Sequence, residues 1–263
     1  MPRFAANLSM LFTEAPLLGR FERAARAGFT AVEMQFPYEA SVADLRSRLQ
    51  SNRLVMVLHN LPRGDFAGGE RGFACHPGRE ADFRASVALG IRYAQALGVP
   101  QLNCLSGVAP AGVDDAALRA TFVANLRYAA AALGREGIKL LVEPINNVDA
   151  PGFWLNRTGK AIAVLDEVGS DNLFLQYDVY HAQRFEGELA ATLGRQLARI
   201  AHVQVADNPG RHEPGTGEIN YPFVFAHLQR IGYKGYIGCE YTPAASTEAG
   251  LGWLEQARRQ FHA

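Results

Sequence analysis

The chain has 263 residues, 48% of them hydrophobic, and its 26 basic and 26 acidic side chains cancel to a formal net charge of zero. A chain of this size buries a full core and reads as one domain over residues 1–263. Zero net charge argues against nucleic acid as a partner, and no charged leader or apolar run of about 18 residues points to export or a membrane.

Apolar runs predict eight strands, at residues 4–8, 31–35, 54–59, 101–105, 138–143, 173–178, 202–205 and 236–240. Helical patterns alternate with them and stop at Gly28, Gly98, Gly137, Gly169 and Gly232, since glycine suits the left-handed position just past a helix end. In the first helix Thr13 is the candidate cap, Glu14 opens the turn and Pro16 is tolerated early. Leu17, Phe21, Ala24 and Ala25 form its apolar face, with Arg20, Glu22 and Arg23 opposite.

The segment 64–72, rich in glycine, follows the third strand and is either a lid over a catalytic mouth or a passive surface loop. Residues 116–135 form a longer helix with Leu118, Phe122, Leu126, Tyr128 and Ala129 near helical spacing; it is the candidate surface for pairing with a second copy. Continuous apolar strands such as Lys139-Leu140-Leu141-Val142 are expected where both sheet faces are covered. Eight βα units favour a closed (β/α)8 TIM barrel of the α/β class over an open sheet. Neither GxGxxG nor GxxxxGK[ST] occurs at the first strand, which removes the usual dinucleotide and phosphate-loop readings.

In such a barrel, residues at the carboxyl ends of different strands share one mouth. Glu143, Asp178, Gln204 and Glu240 hold such ends on four consecutive strands. Crowded carboxylates repel one another unless a cation neutralises them, and an all-oxygen donor set suits Mg²⁺ or Mn²⁺ better than copper or a structural zinc. His181, Arg211, His212 and His59 are the candidate substrate contacts, Arg211 because a guanidinium pairs well with a carboxylate. Asn7, Glu33, Asn60 and His202 are weaker candidates, and His202 lies two residues before Gln204 and so faces the same way. Phe153 and Trp154 either wall a pocket or cover the barrel end. Cys75, Cys104 and Cys239, odd in number and without CxxC spacing, fit a reducing cytoplasm, and Cys104 and Cys239 read as strand residues packed against helices, with no nucleophilic role.

At these residues the chain resembles the hydroxypyruvate isomerase family, within the xylose isomerase-like barrels that also include ketose 3-epimerases and endonuclease IV. The likeness is carried by Val142-Glu143-Pro144-Ile145-Asn146, by Tyr177-Asp178-Val179-Tyr180-His181, by His202-Val203-Gln204-Val205-Ala206-Asp207 with the segment that follows to Tyr221, and by Gly238-Cys239-Glu240-Tyr241. The resemblance covers nearly the whole chain and implies a metal held by Glu143, Asp178, Gln204 and Glu240, with the two glutamates as the catalytic pair flanking the substrate. Gln204 stands where the epimerases usually carry histidine, and Asp149 where they carry a glutamate. It further implies isomerisation of hydroxypyruvate to 2-hydroxy-3-oxopropanoate by enediolate proton transfer, with Arg211 and His212 neutralising the acid's carboxylate. A 2-oxo-tetronate isomerase is the nearest rival, then a ketose 3-epimerase, then a barrel that binds a ligand without turning it over; an endonuclease would need further histidine and carboxylate ligands and a basic surface.

Overall fold

Alternation along each strand decides which side chains enter the barrel. The computed structural model describes residues 2–262. Its eight strands are β1 (Arg3–Asn7), β2 (Ala31–Met34), β3 (Val55–Asn60), β4 (Gln101–Cys104), β5 (Lys139–Val142), β6 (Leu173–Asp178), β7 (Ile200–Val205) and β8 (Tyr236–Cys239). They are parallel and close in sequence order, β8 pairing back onto β1. Every expected strand is present to within a residue or two at its ends.

The strands are joined by helices α1 (Leu17–Arg26), α2 (Val42–Ser51), α3 (Glu80–Leu97), α4 (Asp115–Arg135), α5 (Thr158–Val168), α6 (Val179–Phe185), α7 (Leu189–Gln196) and α8 (Tyr221–Arg230), with α9 (Gly252–His262) last. All five glycines expected to stop helices have positive φ, between +67° and +85°. Gly98 and Gly169 are themselves the left-handed caps of α3 and α5.

Two details of the helices differ from expectation. Pro16, at ψ 150°, holds the chain extended until α1 starts at Leu17 without a side-chain cap, so Thr13 caps nothing. The Glu14 carboxylate instead accepts from the Thr247 backbone N–H at 2.7 Å, tying this loop to the last one. In α4, Tyr128 is solvent-exposed beneath the Arg84 guanidinium, 5.0 Å from its ring centre, whereas Leu118, Phe122, Leu126 and Ala129 are buried as expected.

The core divides along the strand period of two. Leu140 and Val142 belong to the large cluster between sheet and helices, while Leu141 joins Ala5, Ala31 and Val57 in a small cluster of its own. Apolar residues fill the barrel low down. Polar residues occupy the same inward register higher up: Glu143 after Leu141, Asn7 after Ala5 and Glu33 after Ala31. Among the described residues no helix is long and apolar enough to cross a membrane.

Candidate functional site

Register sets the site. Asn7 is paired with Glu33, Asn60 with Asn103, Asp178 with Gln204, and Gln204 with Gly238 across neighbouring strands. A buried polar ring therefore lines the carboxyl ends of the strands, and burying it is tolerable only if its members satisfy one another.

Glu143, Asp178 and His181 each offer a ligand atom, and these atoms lie within 4.8 Å of one another. Asp178 ends β6 and also caps α6: its Oδ1 accepts from the backbone N–H of Tyr180 at 2.8 Å and of His181 at 3.4 Å. Its Oδ2 is buried and has no hydrogen-bond partner. Glu143 accepts from Asn103 Nδ2 at 2.9 Å through Oε2, while its Oε1 faces His181. Burial, then the charges of Glu240 and Asp178, push the Glu143 carboxyl well above its usual range, and burial raises Asp178 as well. An orphaned carboxylate oxygen beside a second raised carboxyl is an arrangement that a hard divalent cation fits.

His181 has a defined proton. Asn146 Oδ1 accepts from the backbone N–H groups of Val148 and Asp149, so the Asn146 Nδ2 faces His181 Nδ1 at 2.7 Å and donates to it. Burial, then Arg211 and Arg184, holds the His181 pKa well below the ordinary histidine value. The neutral ring carries its hydrogen on Nε2, 3.8 Å from Asp178 Oδ2 and 4.0 Å from Glu143 Oε1.

Glu240, just past β8, accepts from Asn7 Nδ2 at 3.1 Å, from Gln35 Nε2 at 3.0 Å and from Arg211 at 2.7 Å. Burial raises its carboxyl to about 7 against the opposing pull of Arg211. Arg211 also reaches Asp178 Oδ2 at 3.8 Å, so its guanidinium is the cation of the acidic cluster in this structure. Its backbone is left-handed at φ +57°, a conformation costing roughly 1 kcal/mol for a side-chain-bearing residue. Such cost is commonly retained where a side chain must be aimed.

Gln204 has two contacts that fix its amide: Nε2 donates to Glu33 Oε1 at 2.8 Å, and Oε1 accepts from Gln176 Nε2 at 2.6 Å. Glu33 is fully buried and accepts twice more, from Asn7 Nδ2 at 3.0 Å and through a 2.7 Å contact with His202 Nε2. A Cβ on Gly238 would lie 2.3 Å from a Glu33 oxygen, so the glycine makes room for this carboxylate inside the barrel. Glu33 is thus central, although in the sequence it is one more charge near a strand end. His202 orients Glu33 and does not reach the mouth directly.

The mouth opens into a cleft of about 200 Å³ lined by Glu143, Asp149, His181, Arg211 and Glu240, with Phe153 and Phe66 on its walls. Two expected substrate contacts lie elsewhere. His59 is buried against Tyr38, with Nδ1 3.0 Å from the Asn60 carbonyl, and it is Asn60 that lines the cleft. His212 Nδ1 bonds the Thr242 carbonyl at 2.8 Å, which turns the ring to the loop rather than the cleft. Trp154 packs on Phe122 at 5.2 Å, and the three cysteines are buried with thiol pKa values pushed up by burial. Gln35, Asn103 and Gln176 were not singled out from the sequence; the signal was there in Gln101-x-Asn103 and Gln176-x-Asp178, where polar residues alternate within otherwise apolar strands.

Fold and cluster define a barrel built to bring carboxylates together at the strand ends. The pattern of the xylose isomerase-like TIM barrels matches residues 21–257. The chain is 54% identical over 258 residues to a hydroxypyruvate isomerase of Escherichia coli, covering 98% of this chain and 100% of that protein. It is 50% identical over 255 residues to a 2-oxo-tetronate isomerase of Cupriavidus necator, covering 97% and 98%. A solved structure described as an AP endonuclease, family 2, from Brucella melitensis superposes with a TM-score of 0.95 at 44% identity, covering 97% of this chain and 99% of that one. The chain belongs to the hydroxypyruvate isomerase and 2-oxo-tetronate isomerase family of these barrels.

Proposed function

We propose that this protein is a divalent-metal-dependent isomerase that interconverts hydroxypyruvate and 2-hydroxy-3-oxopropanoate. The observation that carries the reading is the buried cluster of Glu143, Asp178 and Glu240, with one Asp178 oxygen unpartnered and two carboxyls raised well above their usual values. The residues assigned to the metal are Glu143, Asp178, Gln204 and Glu240, all oxygen donors, with Mg²⁺ or Mn²⁺ as the fitting ions. When bound, the ion would neutralise the carboxylates and stabilise negative charge developing on the substrate oxygens.

One of the two glutamates takes a proton from C3 of the acid, leaving an enediolate. A proton is returned to C2, and the hydroxyl proton passes from the C3 oxygen to the C2 oxygen, so that the aldehyde forms at C3 with no net change in atoms or charge. Glu240, which lines the cleft and is held by Asn7, Gln35 and Arg211, is assigned the proton transfer together with Glu143, and a bound ion would lower its carboxyl from the raised value it has without one. His181 presents its Nε2 hydrogen to a substrate oxygen rather than a lone pair to the metal, because Asn146 occupies Nδ1.

The four-carbon reading, a 2-oxo-tetronate isomerase with the same residues, is supported by 50% identity to such an enzyme. An endonuclease reading draws no support from a single candidate ligand group among the described residues and a net charge of zero. The deciding experiment assays chelator-stripped protein with hydroxypyruvate and with 2-oxo-tetronates, with and without Mg²⁺ or Mn²⁺. Metal-restored turnover preferring hydroxypyruvate is expected. Preference for the four-carbon acid moves the substrate assignment, and metal-independent or absent turnover of both removes the proposal.

A further inference from the structure

Two arginines in the cleft have no role in the chemistry above. Arg63 and Arg71 line the same cleft as Glu143 and Glu240, Arg63 just before the glycine-rich loop after β3 and Arg71 near its end. We propose that they form the subsite that holds the carboxylate of the substrate acid, a role the sequence had suggested for Arg211 and His212. The proposal rests on the reading of the substrate as a small 2-oxo acid.

The cations expected to do this work are engaged. Arg211 donates to Glu240 at 2.7 Å, and His212 Nδ1 bonds the Thr242 carbonyl at 2.8 Å. Arg63 and Arg71 form neither a salt bridge nor a side-chain hydrogen bond among the described residues, because the nearby carboxylates have other partners. Glu70 pairs with Arg79 at 2.6 Å, Asp149 with Arg184 at 3.1 Å, and Asp65 Oδ1 accepts from the Gly68 N–H at 3.0 Å. Glu39 acts on Arg63 only at longer range.

What does hold the two guanidiniums is aromatic. Arg63 lies 3.4 Å from the centre of the Phe66 ring and 4.2 Å from that of Phe36, and Arg71 lies 5.3 Å from that of Phe66. A guanidinium placed over a ring keeps the N–H donors along its edge available for an incoming carboxylate. Two like charges sharing one ring repel each other, and an anion between them removes that cost. The base of the loop is clamped so that the pair stays at the mouth. Gly72 donates its N–H to the Arg63 carbonyl at 2.9 Å and bridges to Ser106, and at φ +94° a Cβ there would meet Leu105 Cβ at 2.5 Å.

The test uses the Mn²⁺-loaded full chain with Arg63→Met, Arg71→Met and the double variant, together with Arg63→Lys and Arg71→Lys. Turnover of hydroxypyruvate and calorimetric titration with racemic glycerate, an unreactive acid of the same length, are measured on each, with glycerol as the uncharged control. Each methionine variant is expected to weaken glycerate binding about tenfold and the double about 100-fold, with kcat/KM falling chiefly through KM and the lysine variants recovering part of the loss. Circular dichroism and Mn²⁺ stoichiometry equal to wild type establish that the variants are folded. Glycerate bound no better by wild type than by the folded double variant, or no better than glycerol, overturns the proposal. Wild type that binds glycerate through these arginines yet turns over neither hydroxypyruvate nor the 2-oxo-tetronates leaves the subsite standing and overturns the isomerase reading alone.

Discussion

Glu33 Oε1 lies 2.8 Å from the side-chain nitrogen of Gln204, and this contact decides which end of the amide is free to act as an oxygen donor. A carboxylate only accepts, so it takes the NH₂ and leaves Oε1 with a lone pair beyond the one used by Gln176. Glu33→Gln removes that constraint at nearly constant volume. A loss of about 10- to 100-fold in Mn²⁺ affinity is expected, measured by competition with a chelator. Unchanged affinity in a folded variant would show that Gln204 orients itself.

Arg211 is the cation next to Glu240 and Asp178, and Arg211→Gln leaves those carboxylates without it. In chelator the variant should lose about 3 kcal/mol, or roughly 10 °C in Tm. Added Mn²⁺ should then raise its Tm by more than it raises that of wild type. Equal shifts in the two proteins would mean that Arg211 does not screen the cluster.

Asn146→Leu removes the donor to His181 Nδ1 and lets the ring take either tautomer. We expect kcat to fall about tenfold or more, on the scale of a misplaced general acid or hydrogen-bond donor, with Mn²⁺ affinity unchanged. A parallel fall in Mn²⁺ affinity would make His181 a ligand and overturn its assignment to the substrate.

His59 gives a pH signature independent of the cluster. Burial lowers its pKa from 6.5 to about 4, so the unfolded chain binds the proton more readily than the folded one between those values. Its contribution is complete above pH 6.5 and is lost as pH falls toward 4, up to about 3 kcal/mol. Glu240, raised to about 7, works in the opposite sense, its contribution being lost as pH rises from its ordinary carboxyl value toward 7. The comparison is therefore between wild type and His59→Gln. The variant should lose less stability between pH 6.5 and pH 4.5 in denaturant titrations, and parallel curves would refute the assignment.

Much of the site was legible because strand ends are. Glu143 and Glu240 follow β5 and β8, Asp178 ends β6 and Gln204 lies one residue before the end of β7, and the closed barrel brings these strand ends to one mouth. His181 was legible through its place beyond Asp178, since a residue three past the strand end falls on the first turn of α6. His59 misled because it also ends an apolar run, yet its ring packs on Tyr38 while the next residue, Asn60, reaches the cleft. Arg63 and Arg71 sit in a loop whose composition says only that it bends.

By itself the sequence determined the eight βα units, their glycine stops and the oxygen-rich strand ends, all of which follow from periodicities of two and 3.6 residues read locally. Partnership was decided only by closure of the barrel. Asn7 donates to Glu240 across 233 residues, and Glu33 meets Gln204 across 171, because β8 returns to β1 and the interior is narrow enough for side chains from opposite strands to touch. Which carboxylate receives Arg211, and which arginines stay free for an anion, depends on those long-range contacts and on loop conformations that no local pattern encodes.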